Sequence, residues 1–125
     1  MSNKPTISDD PMYQLLREGK VDEFNKKKQA GEYCNFRGCD FRSLDLRKLD
    51  AVGLDFRCAY FRQADLRGVD LRGSLLDGCS INGAKISGTY FPLNIPAQEI
   101  LLSLEHGTRL RVIHEKKEQE TDKKE

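Results

Sequence analysis

Every fifth residue from Phe36 to Phe91 is apolar: Phe36, Phe41, Leu46, Ala51, Phe56, Phe61, Leu66, Leu71, Leu76, Ile81, Ile86 and Phe91. Only Ala51 is small. An α-helix repeats its faces every 3.6 residues and a strand every 2, so neither generates a period of five. The flanking columns are as regular. Two residues earlier stand small or aliphatic side chains, from Cys34, Cys39 and Leu44 to Cys79, Ala84 and Thr89. One residue earlier Asp dominates (Asp40, Asp45, Asp50, Asp55, Asp65, Asp70). One residue later Arg dominates (Arg37, Arg42, Arg47, Arg57, Arg62, Arg67, Arg72). The closing position is rich in Gly, which tolerates the dihedrals a corner requires.

Segments such as CDFRS, LDLRK, LDFRC, ADLRG and VDLRG resemble the pentapeptide-repeat family, whose consensus is A(D/N)LXX. The resemblance covers twelve tandem repeats across 34–93. It implies a β solenoid: a right-handed quadrilateral β-helix of about three coils, with four repeats per coil and each repeat forming one side. The central residue and the one two before it then point inward, and residues 20 apart stack. Phe36 is expected over Phe56, and Phe41 over Phe61.

A stack this short has two open ends, and bare edges invite aggregation, so caps are required. Residues 1–33 read as an N-terminal helical cap. Asp10 is placed to cap the first helix, Pro11 suits its first turn, and Met12, Leu15 and Leu16 form a stripe. Gly19 separates it from a second helix carrying Val21 and Phe24. Residues 94–113 read as a C-terminal cap helix and extension, with Ile100, Leu101 and Leu104 on its apolar face and Gly107 at its end. Residues 114–125 are nearly all charged or polar and read as a disordered tail.

The formal net charge of +1 over 125 residues gives no global pull toward nucleic acid, which is a disfavoured partner. No apolar run spans a bilayer, no leader is evident, and the spacing of Cys34, Cys39, Cys58 and Cys79 fits no metal or redox motif. A cytoplasmic protein without membrane, metal or cofactor is expected. Catalysis is not expected either: the Asp residues recur at a structural period beside Arg, which holds a carboxyl too acidic for general-acid work.

The expected role is a non-catalytic protein-interaction or scaffold module whose protein partner the sequence does not name. The Arg columns (Arg37, Arg42, Arg47, Arg57, Arg62, Arg67, Arg72) are the candidate surface, against the alternative that they only pair with Asp. The Asp and Arg columns stop after Arg72, and Leu75, Tyr90 and Leu93 then face outward. With Ile100, Leu101 and Leu104 they form a candidate end contact, serving either the cap helix or a homodimer through the C-terminal end. Some members of the family dimerise in that way. The alternative functions are modulation of a type II topoisomerase such as DNA gyrase, a known activity in the family, and weak nucleic-acid binding through the Arg columns. The balanced charge of the repeats suits the gyrase role poorly.

Overall fold

The computed structural model describes residues 4–114. The charged tail expected at 114–125 therefore lies, from residue 115 onward, outside the described residues.

The period of five becomes a wall and a turn. Each central residue from Phe36 to Ile86 accepts a hydrogen bond from the amide three residues on. Examples are Cys39 N–H to Phe36 O at 3.1 Å, Ala59 to Phe56 at 2.9 Å and Ala84 to Ile81 at 2.9 Å. The third residue of most of these turns has positive φ, as a type II turn demands. Gly supplies it at several corners. Ser43, Lys48, Cys58 and Gln63 adopt it at φ 60–70° despite carrying a Cβ, a conformation costing about 1–2 kcal/mol per residue.

The chain closes on itself every 20 residues. Parallel bridges join Asp40 to Tyr60, Asp45 to Asp65, Asp55 to Leu75, Tyr60 to Ser80, Asp65 to Lys85 and Asp70 to Tyr90. Among the described residues these remain isolated bridges, and no continuous strand or sheet forms, contrary to the expected β-ladders. Turns consume so much of each five-residue side that only a short extended piece is left to pair. No bridge joins Asn35 to Asp55 or Asp50 to Asp70 among the described residues.

The axis is filled as expected through the first two coils. Phe36 lies over Phe56 with centroids 5.7 Å apart, and Phe41 over Phe61 at 5.2 Å. Neighbouring columns meet edge to face, Phe36–Phe41 at 5.3 Å and Phe56–Phe61 at 5.2 Å, an arrangement that adds to burial. In the third coil Leu76 and Ile81 are buried, but Ile86 and Phe91 are only half-buried. No further coil covers them.

Helices α1 (Pro11–Arg17) and α2 (Val21–Gln29) close the first coil. Asp10 accepts from the Met12 amide at 2.9 Å, and Pro11 begins the helix. Two rings are driven onto the open axis: Tyr13 meets Phe41 edge-on at 5.5 Å, and Phe24 meets Phe36 at 5.8 Å. The Tyr13 hydroxyl donates to Asp40 O at 2.6 Å. The bare edge is satisfied piecewise. Thr6 pairs with the 38–40 backbone, donating to Gly38 O at 2.8 Å and accepting from Asp40 N–H at 2.9 Å. The Asn25 amide donates to Lys48 O and accepts from Asp50 N–H, each at 2.9 Å, standing in for a peptide of an absent coil.

Helix α3 (Ala97–His106) ends at Gly107, whose φ is 75°. It lies over the second side of the last coil. Ser103 Oγ accepts from the Ile81 amide at 3.0 Å, and Leu104 O accepts from Gly83 N–H at 3.0 Å. Ile100 and Leu104 pack against the core, whereas Leu101 is 54% exposed. The expected capping role of Leu101 is thus corrected: the inward face of α3 runs through Glu99, Ile100, Ser103 and Leu104, and Leu101 falls outside that arc. The extension after α3 lies over the first side. Leu110 exchanges hydrogen bonds with Gly78 and Cys79 at 2.9 and 2.7 Å, and Glu99 holds the Arg111 amide (3.1 Å) and guanidinium.

Two expected outcomes follow from this packing. Tyr13→Phe leaves Asp40 O without its buried donor and lowers unfolding free energy by about 1–2 kcal/mol in urea titration. Gly78→Ala forces a Cβ to positive φ and within 3.1 Å of Cys58 Sγ. It should cost more than Gly68→Ala, where the φ is similar but space is open; equal midpoints would refute the contact.

Candidate interaction surface

In an extended side, residues two apart share a face. The Asp before and the Arg after each central residue therefore project together from one wall, and the guanidinium folds back onto its own repeat. Arg42 grips Asp40 through Nε and Nη2, both at 2.9 Å. Arg47 with Asp45, Arg57 with Asp55 and Arg67 with Asp65 repeat the fork at 2.9 and 2.7 Å. Arg72 with Asp70 does so at 2.9 and 2.8 Å. The same carboxylates accept the Arg backbone amides at 3.0–3.2 Å. Arg47 also reaches Asp65 in the next coil at 3.4 Å.

These bidentate contacts set the electrostatics. The Arg hydrogen bonds hold the carboxyls of Asp40, Asp45, Asp55 and Asp65 below the usual range, and that of Asp70 down to about 2. Five of the seven candidate arginines are thereby committed within the chain. Arg37 and Arg62 are not: the residue two earlier is Asn35 in one case and Tyr60 in the other. Asp50 has no Arg in its repeat and pairs with Lys28 at 3.3 Å.

The candidate end contact divides. Ile100 and Leu104, on the inner face of α3, are half-buried against the core. Leu75, Tyr90, Leu93 and Leu101 remain exposed, Leu93 at 97%, and the Arg72 guanidinium lies 4.5 Å from the Tyr90 ring centroid. The backbone beside them is open as well. One coil earlier, the amides of Leu66, Gly68 and Leu71 donate to Lys85, Ser87 and Tyr90. The equivalent amides of Ile86, Gly88 and Phe91 have no acceptor among the described residues. Sequence reasoning missed Leu102, which is 40% exposed, and Arg109. Arg109 Nη1 donates to Gly78 O at 2.9 Å and its Nη2 to Tyr60 Oη at 2.7 Å. Neither residue lies in a repeat, so no column pointed to it.

The four cysteines are free. Burial pushes the Cys34 and Cys39 thiols up to about 11, and raises Cys79 further, its Sγ donating to Phe56 O at 2.8 Å. Among the described residues no helix is long and apolar enough to cross a membrane.

A stack of five-residue sides in 20-residue register, with small and large side chains alternating into its axis, defines a class of repeat protein. The family model for pentapeptide repeats matches residues 55–91 in eight copies, and that stretch of the chain is pentapeptide repeat. No match was found among curated proteins or among solved structures. The residues from Cys34 to Leu54 lie outside the family match, yet they occupy the same register.

The forks have a pH signature. Each paired carboxyl binds its proton less tightly folded than unfolded, so the pairs stabilise the fold above the ordinary Asp value of 3.8 and lose that contribution as pH falls through it. Thermal midpoints should stay level with respect to these groups from pH 7 to about 5 and drop below about 4. Asp65→Asn should flatten that acid limb; an unaltered limb would remove the forks as its cause.

Proposed function

We propose that the chain is a non-catalytic protein-interaction module that engages partners through its C-terminal end, the first partner being a second copy of itself. The frame of this reading is a right-handed quadrilateral β-helix, supported by the 20-residue register and the four-sided repeat. The observation that carries it is the open rim of the last coil. Amide donors at Ile86 and Gly88 and the Ala84 carbonyl lie on one edge without partners among the described residues. Exposed Tyr90 and Leu93 continue that edge along the chain, Leu101 is exposed on α3, and Ile86 and Phe91 are incompletely covered.

An edge that holds both donors and an acceptor is complementary to a two-fold related copy of itself. Burying Leu93 and Leu101 there supplies the apolar contribution. A reducing cytoplasm suits four free thiols. Topoisomerase modulation and nucleic-acid binding draw less support, because five of the seven guanidinium forks are already closed on Asp.

Sedimentation over a range of concentrations should show a monomer–dimer equilibrium. Leu93→Asp combined with Leu101→Asp should shift it to monomer without changing the thermal midpoint of the isolated chain. A monomer at every concentration, or a dimer indifferent to both changes, would defeat the reading.

A further inference from the structure

The charge pattern breaks along the second side of the coil, 39–43 over 59–63 over 79–83. Its first repeat has the usual pair, Asp40 and Arg42. Its second has Tyr60 where Asp is usual, so Arg62 has no carboxylate in its own repeat. Among the described residues no other side-chain contact holds the Arg62 guanidinium. Arg109 arrives over the same wall from the C-terminal extension. It is fixed by Gly78 O and Tyr60 Oη, its guanidinium 5.2 Å from the Tyr60 ring centroid.

Arg42, Arg62 and Arg109 line one shallow hollow of about 230 Å³ together with Pro5, Tyr60, Ser80 and Gly107. Arg62 and Arg42 also border a second hollow beside it, with Asp40. The Asp40 charge is cancelled by the Arg42 fork. Arg62 and Arg109 are left as two positive charges facing a common space with no carboxylate paired to them among the described residues. Two fixed cationic neighbours beside an uncommitted guanidinium are arranged for an oxyanion able to take several hydrogen bonds at once.

We propose that Arg62 and Arg109, flanked by Arg42 and by Ser80, whose hydroxyl donates to Gly107 O at 3.4 Å, form a binding site for a phosphate-type dianion. The dianion is either free phosphate or the phosphomonoester of a phosphorylated side chain. The site lies on a different wall from the rim assigned to self-association, so either can fail without the other.

The test is an NMR titration of the full chain, following arginine Nε–Hε signals, with inorganic phosphate, O-phosphoserine and acetate at fixed ionic strength. Saturable shifts confined to Arg62, Arg109 and Arg42 are expected with a phosphate probe. Arg62→Ser should weaken binding by about tenfold or more, the loss of one strong charged contact, and Arg47→Ser should leave it unchanged. Binding of phosphoserine but not phosphate would assign the site to a phosphorylated side chain, and the reverse to the free ion. Equal response to acetate, equal shifts at Arg57 and Arg72, or full binding by Arg62→Ser would overturn the proposal. Arg62 is exposed, so the variant's thermal midpoint should match the parent; if it does not, Arg62→Gln and Arg62→Lys under the same titration decide. Retention of phosphate binding by the Leu93→Asp, Leu101→Asp monomer keeps the two sites separate.

Discussion

Stacking of each side on the side 20 residues later holds everything else in place. That register brings Phe36 onto Phe56 and Phe41 onto Phe61, and it lines the backbone up for bridges at Asp40–Tyr60 and Asp45–Asp65. A slip of one residue would put charged Asp and Arg on the axis, so register is enforced by the cost of burying charge without partners. The turns carry the opposing cost, since four of them set a side chain at positive φ. The packed aromatic axis is what offsets that strain.

The same geometry decides what the surface offers. An outward Asp and an outward Arg on one short wall reach each other before they reach anything else. The most conspicuous sequence feature, the Arg column, is therefore largely self-satisfied, and the forks tighten individual repeats. Departures from the pattern leave the chemistry available. Tyr60 in place of Asp releases Arg62, and the end of the repeat leaves an uncovered rim at 84–93.

Legibility in the sequence tracks repetition. The inward columns through Phe61, Leu66 and Ile81 and the Asp10–Pro11 helix start could be read directly, because each follows a period or a capping rule. Tyr13, Thr6, Asn25, Ser103 and Arg109 could not: each acts through long-range contacts that no spacing announces. The inner-face expectation for Leu101 fails because Ile100, Leu101, Leu102 and Leu104 spread over too wide an arc to fix the phase of the helix. The polar Glu99 and Ser103 lie on the buried face instead, held by Arg111 and Ile81. The continuous ladders expected of stacked walls gave way to isolated bridges because the corners take up most of each side.

The substitution of a side-chain amide for a peptide at Asn25 bears on how large an assembly can grow. Thr6 and Asn25 occupy the second and fourth sides of the first coil, and Tyr13 and Phe24 cover its axis, which narrows the edge on which another molecule could build. A solenoid open at both extremities would be a monomer unit for an endless fibre. One that is partly plugged at its beginning has a polarity, and a union through its other extremity would favour a closed pair over a fibre.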